Sequence, residues 1–233
     1  MLEAARALSV TFGGSIALSG TVLGACVSAS RSLRRGAPPS RRALAVIGAA
    51  AAYARFVLPW MRRWGSTAQE RVRPLPGDDL VPDAAFQSTR AVTVDAPAEQ
   101  VWPWLAQIGQ DRGGFYSYAW LENLAGCRMQ NADRVHPEWQ QRAIGEKVMM
   151  HPATGAPVAA FEPGRAIVLE GWGSFVVEPT ADGRTRLIAR NRVARGAAAV
   201  FYVTLVEIPH FVMERRMLLG IGQRAEQARQ RSG

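Results

Sequence analysis

Cysteine and histidine are scarce in this chain. Its 233 residues include two cysteines, Cys26 and Cys127, and three histidines, His136, His151 and His210. Two cysteines so far apart build neither a disulfide framework nor a metal-ligand pair. No His-Glu-x-x-His or Cys-x-x-Cys spacing occurs, so no metal is expected. A Walker loop, a GxGxxG turn and a GxSxG elbow are missing too, and no cofactor is expected. The "GIG" at 220–222 lies within a helical run and is not a phosphate loop. Internal repeats are absent.

Acid is missing from the first third. Residues 1–73 carry eleven arginines against Glu3 and Glu70, and acids and bases balance in the remainder. The whole net charge of +9 therefore belongs to that third. A nucleic-acid-binding domain carries its basic stripe on its folded surface. Here the body is neutral and the arginines flank apolar stretches, as in membrane segments. No nucleic-acid partner is expected.

What is present begins with two uncharged or nearly uncharged runs. Leu8 to Val27, "LSVTFGGSIALSGTVLGACV", is long enough to span a bilayer, and its small residues suit close helix contact. Ala43 to Trp60, "ALAVIGAAAAYARFVLPW", is near the minimum spanning length. Its Arg55 can snorkel, and Tyr53, Trp60 and Trp64 suit the interface. The preferred reading is a membrane-associated helical hairpin over 1–65. One span with an interfacial helix, a cleaved signal peptide and a soluble Ala-rich helix stay open as alternatives. The localisation read from this is a membrane, inner or cytoplasmic. Arginine counts on the two sides of the hairpin tie, so they fix no orientation, although the cytoplasmic side is preferred for the body.

Residues 66–84, with "VRPLPGDDLVPD", read as an extended Pro/Gly linker. The folded body follows over 85–230. "FQSTRAVTVDAP" alternates like a strand. "AEQVWPWLAQIG" places Val101, Trp104, Leu105 and Ile108 on one helical face, bent by Pro103 and ended by Gly109. A second short helix is predicted near 116–125. From 145 the chain reads as short strands separated by turns at 162–165 and 180–184. A long helical run fills about 198–230, with Pro209 as a break or a start. Arg190 and Arg192 share one strand face, which reads as solvated. The predicted class is α+β: a curved antiparallel sheet, two short helices and a long C-terminal helix.

"VTVDAPAEQVWPWLAQIGQDRGGFYSYAWLENLAG", "NADRVHPEWQ", "IGEKV" and "PHFVMERRMLLGIGQRAE" together resemble the polyketide cyclase/dehydrase branch of the START-like (SRPBCC) superfamily. The resemblance covers roughly 85–229 and leaves the N-terminal membrane segment outside. It implies a helix-grip fold with a hydrophobic pocket under the long helix, and ligands such as lipids, isoprenoids or polyketides. It carries no shared catalytic set.

The candidate site residues follow. "DRGGFYSYAWLENLAG" concentrates aromatics beside Arg112. Phe115, Tyr116 and Tyr118 are expected at a pocket mouth, with Arg112, Trp139 and Trp172 as further ligand contacts. Trp120 is expected to be core, so that its truncation costs the most stability. Asp133 and His136 form an acid/base pair if they converge, and Tyr116 is a third catalytic candidate. The leading expectation is membrane-tethered binding of an apolar small molecule or lipid. A cyclase or dehydratase using the same pocket and a structural subunit of a membrane complex are the alternatives.

Overall fold

The computed structural model describes residues 20–232. Most of the Leu8–Val27 run lies outside the described residues, and so the expected hairpin does too. From 20 to 34 the chain is helical. Helix α1 (Arg41–Arg63) follows and buries little of its apolar length. The Ser40 hydroxyl caps it by accepting from the Ala43 N–H at 3.2 Å. At 1.5 Å per residue it is about 35 Å long, more than the hydrocarbon thickness of about 30 Å.

A six-stranded antiparallel sheet forms the body, in the order β1-β6-β5-β4-β3-β2. The strands are β1 (Ala84–Val94), β2 (Lys147–His151), β3 (Thr154–Glu162), β4 (Ala166–Leu169), β5 (Gly173–Pro179) and β6 (Thr185–Ala194). The short helices α3 (Ala98–Ala106) and α4 (Ala119–Leu124) separate β1 from β2. The last helix, α5, starts at Ala197–Phe201, passes a π turn at Tyr202–Val206 and runs through Glu207–Ser232. The class is α+β, as the sequence predicts.

Pro209 does not break α5. It has no N–H to return to the Leu205 carbonyl, and the π turn ends just before it. Pro59 sits likewise just after the π turn Tyr53–Val57 of α1. A proline removes one helical bond, and a local widening absorbs the defect.

The inner face of the sheet packs on α5 and α3. Val101, Leu105, Ile108, Leu187, Phe175, Val177, Leu218 and Ile221 are buried there in one cluster. Gly220 lets α5 approach: a Cβ at that position would lie 2.2 Å from the Tyr116 carbonyl oxygen.

The outer face corrects the linker reading. Residues 66–84 form a strap packed on the sheet, not a spacer. Helix α2 (Ala68–Val72) carries a full capping box between Thr67 and Glu70. Leu75 joins Ala91, Ala166, Val176 and Ile188 in a second buried apolar cluster. Arg186 binds both carboxylate oxygens of Glu70 at 2.8 Å. Arg190 is buried, not solvated. It donates to Asp78 at 2.5 Å, to the Arg73 carbonyl at 3.0 Å and to the Glu70 carbonyl. Alternation placed Arg190 and Arg192 on one face correctly, but nothing in their own strand reveals that a preceding segment covers it.

Candidate functional site

The aromatic run divides differently from the expectation. Tyr116, not Trp120, is the core residue: Tyr116 is 1% exposed and Trp120 69%. Tyr116 adopts φ 54°, a left-handed backbone that bulky residues avoid. The surroundings hold it there. The Asn131 Oδ1 accepts its N–H at 2.7 Å, Gln107 Nε2 donates to its hydroxyl at 2.8 Å, and Trp104 meets its ring edge-on at 5.8 Å. The Arg224 guanidinium lies 4.6 Å from the ring centre. Burial pushes the Tyr116 phenol up to about 12, with the Gln107 bond and Arg224 pulling the other way, so it is no base at neutral pH. Phe115 is buried beside it. Tyr118 is partly covered by Arg216, 5.9 Å from its ring centre.

These positions set a stability prediction. Tyr116→Leu should cost roughly 2–3 kcal/mol, for a core cavity plus a lost hydroxyl partner. Trp120→Ala should stay within about 0.5 kcal/mol, as for other exposed positions. Denaturant melts of the two variants check the order; the reverse order would return Trp120 to the core.

The polar candidates do not converge as expected. His136 pairs with Glu138 at 3.1 Å and stacks on Trp139 with ring centres 4.0 Å apart, instead of meeting Asp133. Asp133 is exposed on an open groove of about 320 Å³ with Trp104, Gln223, Arg224, Gln227 and Arg231. Arg112 ties the loop together. It donates to the Trp139 and Gln141 carbonyls at 3.1 and 3.0 Å and to Glu146 at 2.6 Å. Phe115, Tyr116 and Arg112 are thus held by protein contacts, and Trp139 serves as a stacking surface for His136.

Trp172 is the candidate that leads to a different site. Its ring lies 4.9 Å from His210, edge to face, and its carbonyl accepts from Asn191 Nδ2. Asn191 is the register partner of Ser88 on β1. Two residues along the same strand face stands Arg90, fully buried. Its Nε donates to the Met61 carbonyl at 2.9 Å and its Nη1 to Glu214 Oε2 at 2.6 Å. The other Glu214 oxygen lies 3.4 Å from His210 Nε2, too poorly placed for a hydrogen bond. The Tyr202 hydroxyl meets His210 Nδ1 at 2.5 Å. The ring Ser88, Arg90, Glu214, His210, Trp172 and Asn191 thus closes on itself between the sheet and α5.

Four atoms of this ring are buried and have no hydrogen-bond partner among the described residues: Ser88 Oγ, Arg90 Nη2, Asn191 Oδ1 and His210 Nε2. Buried polar groups are normally paired, because each one left alone costs about 1–3 kcal/mol. These four belong to one ring of neighbouring residues and include both donors and an acceptor. Glu214 stays ionised there. Burial acts to raise its carboxyl, but Arg90 and then His210 outweigh it and hold it at about 2. Burial pushes the Tyr202 phenol up, so its hydroxyl keeps its proton beside His210 Nδ1.

A second ion pair closes the end of this site. Arg62 of α1 meets Glu207 of α5 through two bonds of 2.6 and 2.9 Å, with the Glu207 side chain fully buried. Trp60 packs edge-on to Phe211 at 5.4 Å, and Tyr202 against Phe86 at 4.6 Å. Both π turns flank the junction, a helix irregularity frequent at functional sites.

Sequence reasoning missed Ser88, Arg90, Asn191, Tyr202, His210 and Glu214. One signal was present. Glu207, His210 and Glu214 fall at core spacing with Phe211, Met217, Leu218 and Ile221, so three polar residues interrupt an apolar stripe. Comparison with protein-family models, with curated proteins and with solved structures finds no match in any of the three.

Proposed function

We propose that this chain is a membrane-tethered, helix-grip protein of START-like type that binds a lipid-like molecule between its sheet and α5. In this reading α1 crosses the bilayer. The polar head of the ligand engages Ser88, Arg90, Asn191 and His210, and its apolar part lies along Trp172 and the aromatic residues near Phe86 and Phe211. The observation that carries the reading is the set of four unpartnered polar atoms in one buried ring. Arg90 supplies a charged donor and Asn191 an acceptor, so the head offers an oxygen acceptor and a hydroxyl or acid proton. Elsewhere under α5 the interior is filled by Tyr116, Trp104 and Leu218, so this reading seats the ligand under the N-terminal half of the helix.

Native mass spectrometry of the full chain in detergent tests this. The wild type should retain a lipid-sized mass that Asn191→Leu and Ser88→Val lose while keeping their fold. A wild type free of any such mass, including after incubation with membrane lipid extract, would sink the proposal. The buried set Tyr202, His210 and Glu214 favours the enzyme as a second reading, because it places an acid/base side chain, bonded to Tyr202 and 3.4 Å from Glu214, beside the proposed ligand. Under that reading the retained compound would leave chemically altered, and His210→Gln would return it unchanged.

A further inference from the structure

α5 passes the same length and composition test for a membrane span as α1. Its packing decides otherwise. Glu207, His210 and Glu214 are buried against the body, and from Phe211 onward the helix contributes Met217, Leu218 and Ile221 to the core. Only the first ten residues, "AAAVFYVTLV" from Ala197 to Val206, remain apolar and largely outside the core. Ten helical residues reach about 15 Å, half the hydrocarbon thickness of about 30 Å. That is too short to cross and suits shallow immersion.

Their charge and neighbours agree. The stretch holds no charged residue, and Val200 is 65% exposed. Arg195 stands just before it, exposed, where an anionic headgroup layer would attract it. The first acid after it, Glu207, is fully buried and neutralised by Arg62. On α1, in the two turns before Arg62, Phe56, Val57 and Trp60 are exposed and apolar as well. Arg62 to Glu207 and Trp60 to Phe211 join the two helices at this point. Val200 lies seven residues before Glu207, about 10 Å along its helix, and Phe56 six residues before Arg62, about 9 Å along its own. Two exposed apolar helix segments thus start from one junction.

We infer that the first three turns of α5 lie in the interfacial layer of the bilayer that α1 enters, so the body is held by two contacts. This rests on the reading of α1 as the membrane segment. The occupant of the exposed face is lipid, and the ring of Ser88, Arg90, Asn191 and His210 then lies close to the membrane surface.

The test uses the full chain in phosphatidylcholine/phosphatidylglycerol vesicles, with Cys26→Ser and Cys127→Ser as background. An environment-sensitive fluorophore is attached through Val200→Cys or Val203→Cys. Phe56→Cys on α1 and the exposed loop position Ile144→Cys are the references. Lipids spin-labelled along the acyl chain serve as quenchers. Quenching at 200 and 203 within about twofold of that at 56, with none at 144, is the expected result. Quenching at 56 alone would place the start of α5 in water and overturn the inference, while leaving α1 in the membrane. No quenching at 56, 200 or 203 would overturn both readings.

Discussion

A chain that begins at Val81 is expected to aggregate, whereas one that begins at Leu58 folds. The strap decides this. Without residues 58–80, the outer face of the sheet loses the cover of Leu75 over Ala91, Ala166, Val176 and Ile188. Burying a Leu, Ile or Val side chain contributes about 1.5–3 kcal/mol, so Leu75, Val176 and Ile188 together account for roughly 5–9 kcal/mol. Whole domains have about 5–15 kcal/mol of stability. Arg186 and Arg190 lose Glu70 and Asp78 but become hydrated, so their release offsets little of the loss. The edge of β1 opens too, because the Ala91 N–H donates to the Trp64 carbonyl at 3.0 Å. A bare edge beside an apolar sheet face is a template for self-association. Size-exclusion chromatography and denaturant melts of the two chains in mild detergent check the prediction. Equal monomer yield and equal midpoint would return residues 66–84 to the role of spacer.

Legibility followed the range of the interactions. The α3 face of Val101, Trp104, Leu105 and Ile108 was readable because its period is local, and all four are buried. The turns at 162–165 and 180–184 were readable because Gly164 and Gly183 sit at positive φ in them. The strap was not. Its Pro, Gly and Asp content is that of a linker, and its order comes from Arg186 and Arg190, more than a hundred residues away. Tyr116 and Trp120 were exchanged for a related reason. Four residues apart, they should share a face of one helix, but Tyr116 precedes α4 in a left-handed conformation and points elsewhere. The candidate ring was the hardest to see. It joins β1, β6, the turn before β5 and α5, and in the sequence only the acids and histidine within the α5 stripe mark it.

The Arg90 and Glu214 pair should show the largest effect of any single side chain. Both are buried, and their bond is 2.6 Å. Glu214→Leu leaves the Arg90 charge in the interior without its carboxylate, facing the Met61 carbonyl and the Phe211 ring. Breaking a buried pair from one side costs about 3–5 kcal/mol. The double variant Arg90→Met with Glu214→Leu removes both charges and should recover most of that loss, because desolvation of the pair roughly cancels its attraction. Acid gives an independent reading. The Glu214 carboxyl is held at about 2 in the folded protein against an ordinary 4.5. A depressed carboxyl stabilises the fold above its unfolded value and loses that contribution as pH falls toward the folded one. The wild type should therefore lose about 3 kcal/mol between about pH 4.5 and pH 2, at about 1.4 kcal/mol per unit. The double variant should lack that share of the acid sensitivity. Melts of the three proteins at pH 7, pH 4 and pH 2.5 measure it. A double variant as unstable as the single one would mean that Arg90 and Glu214 stabilise through their other neighbours, Met61, Tyr202 and His210, and not through each other. That outcome would also loosen the ring proposed for the ligand head, since Arg90 and Glu214 form one of its sides.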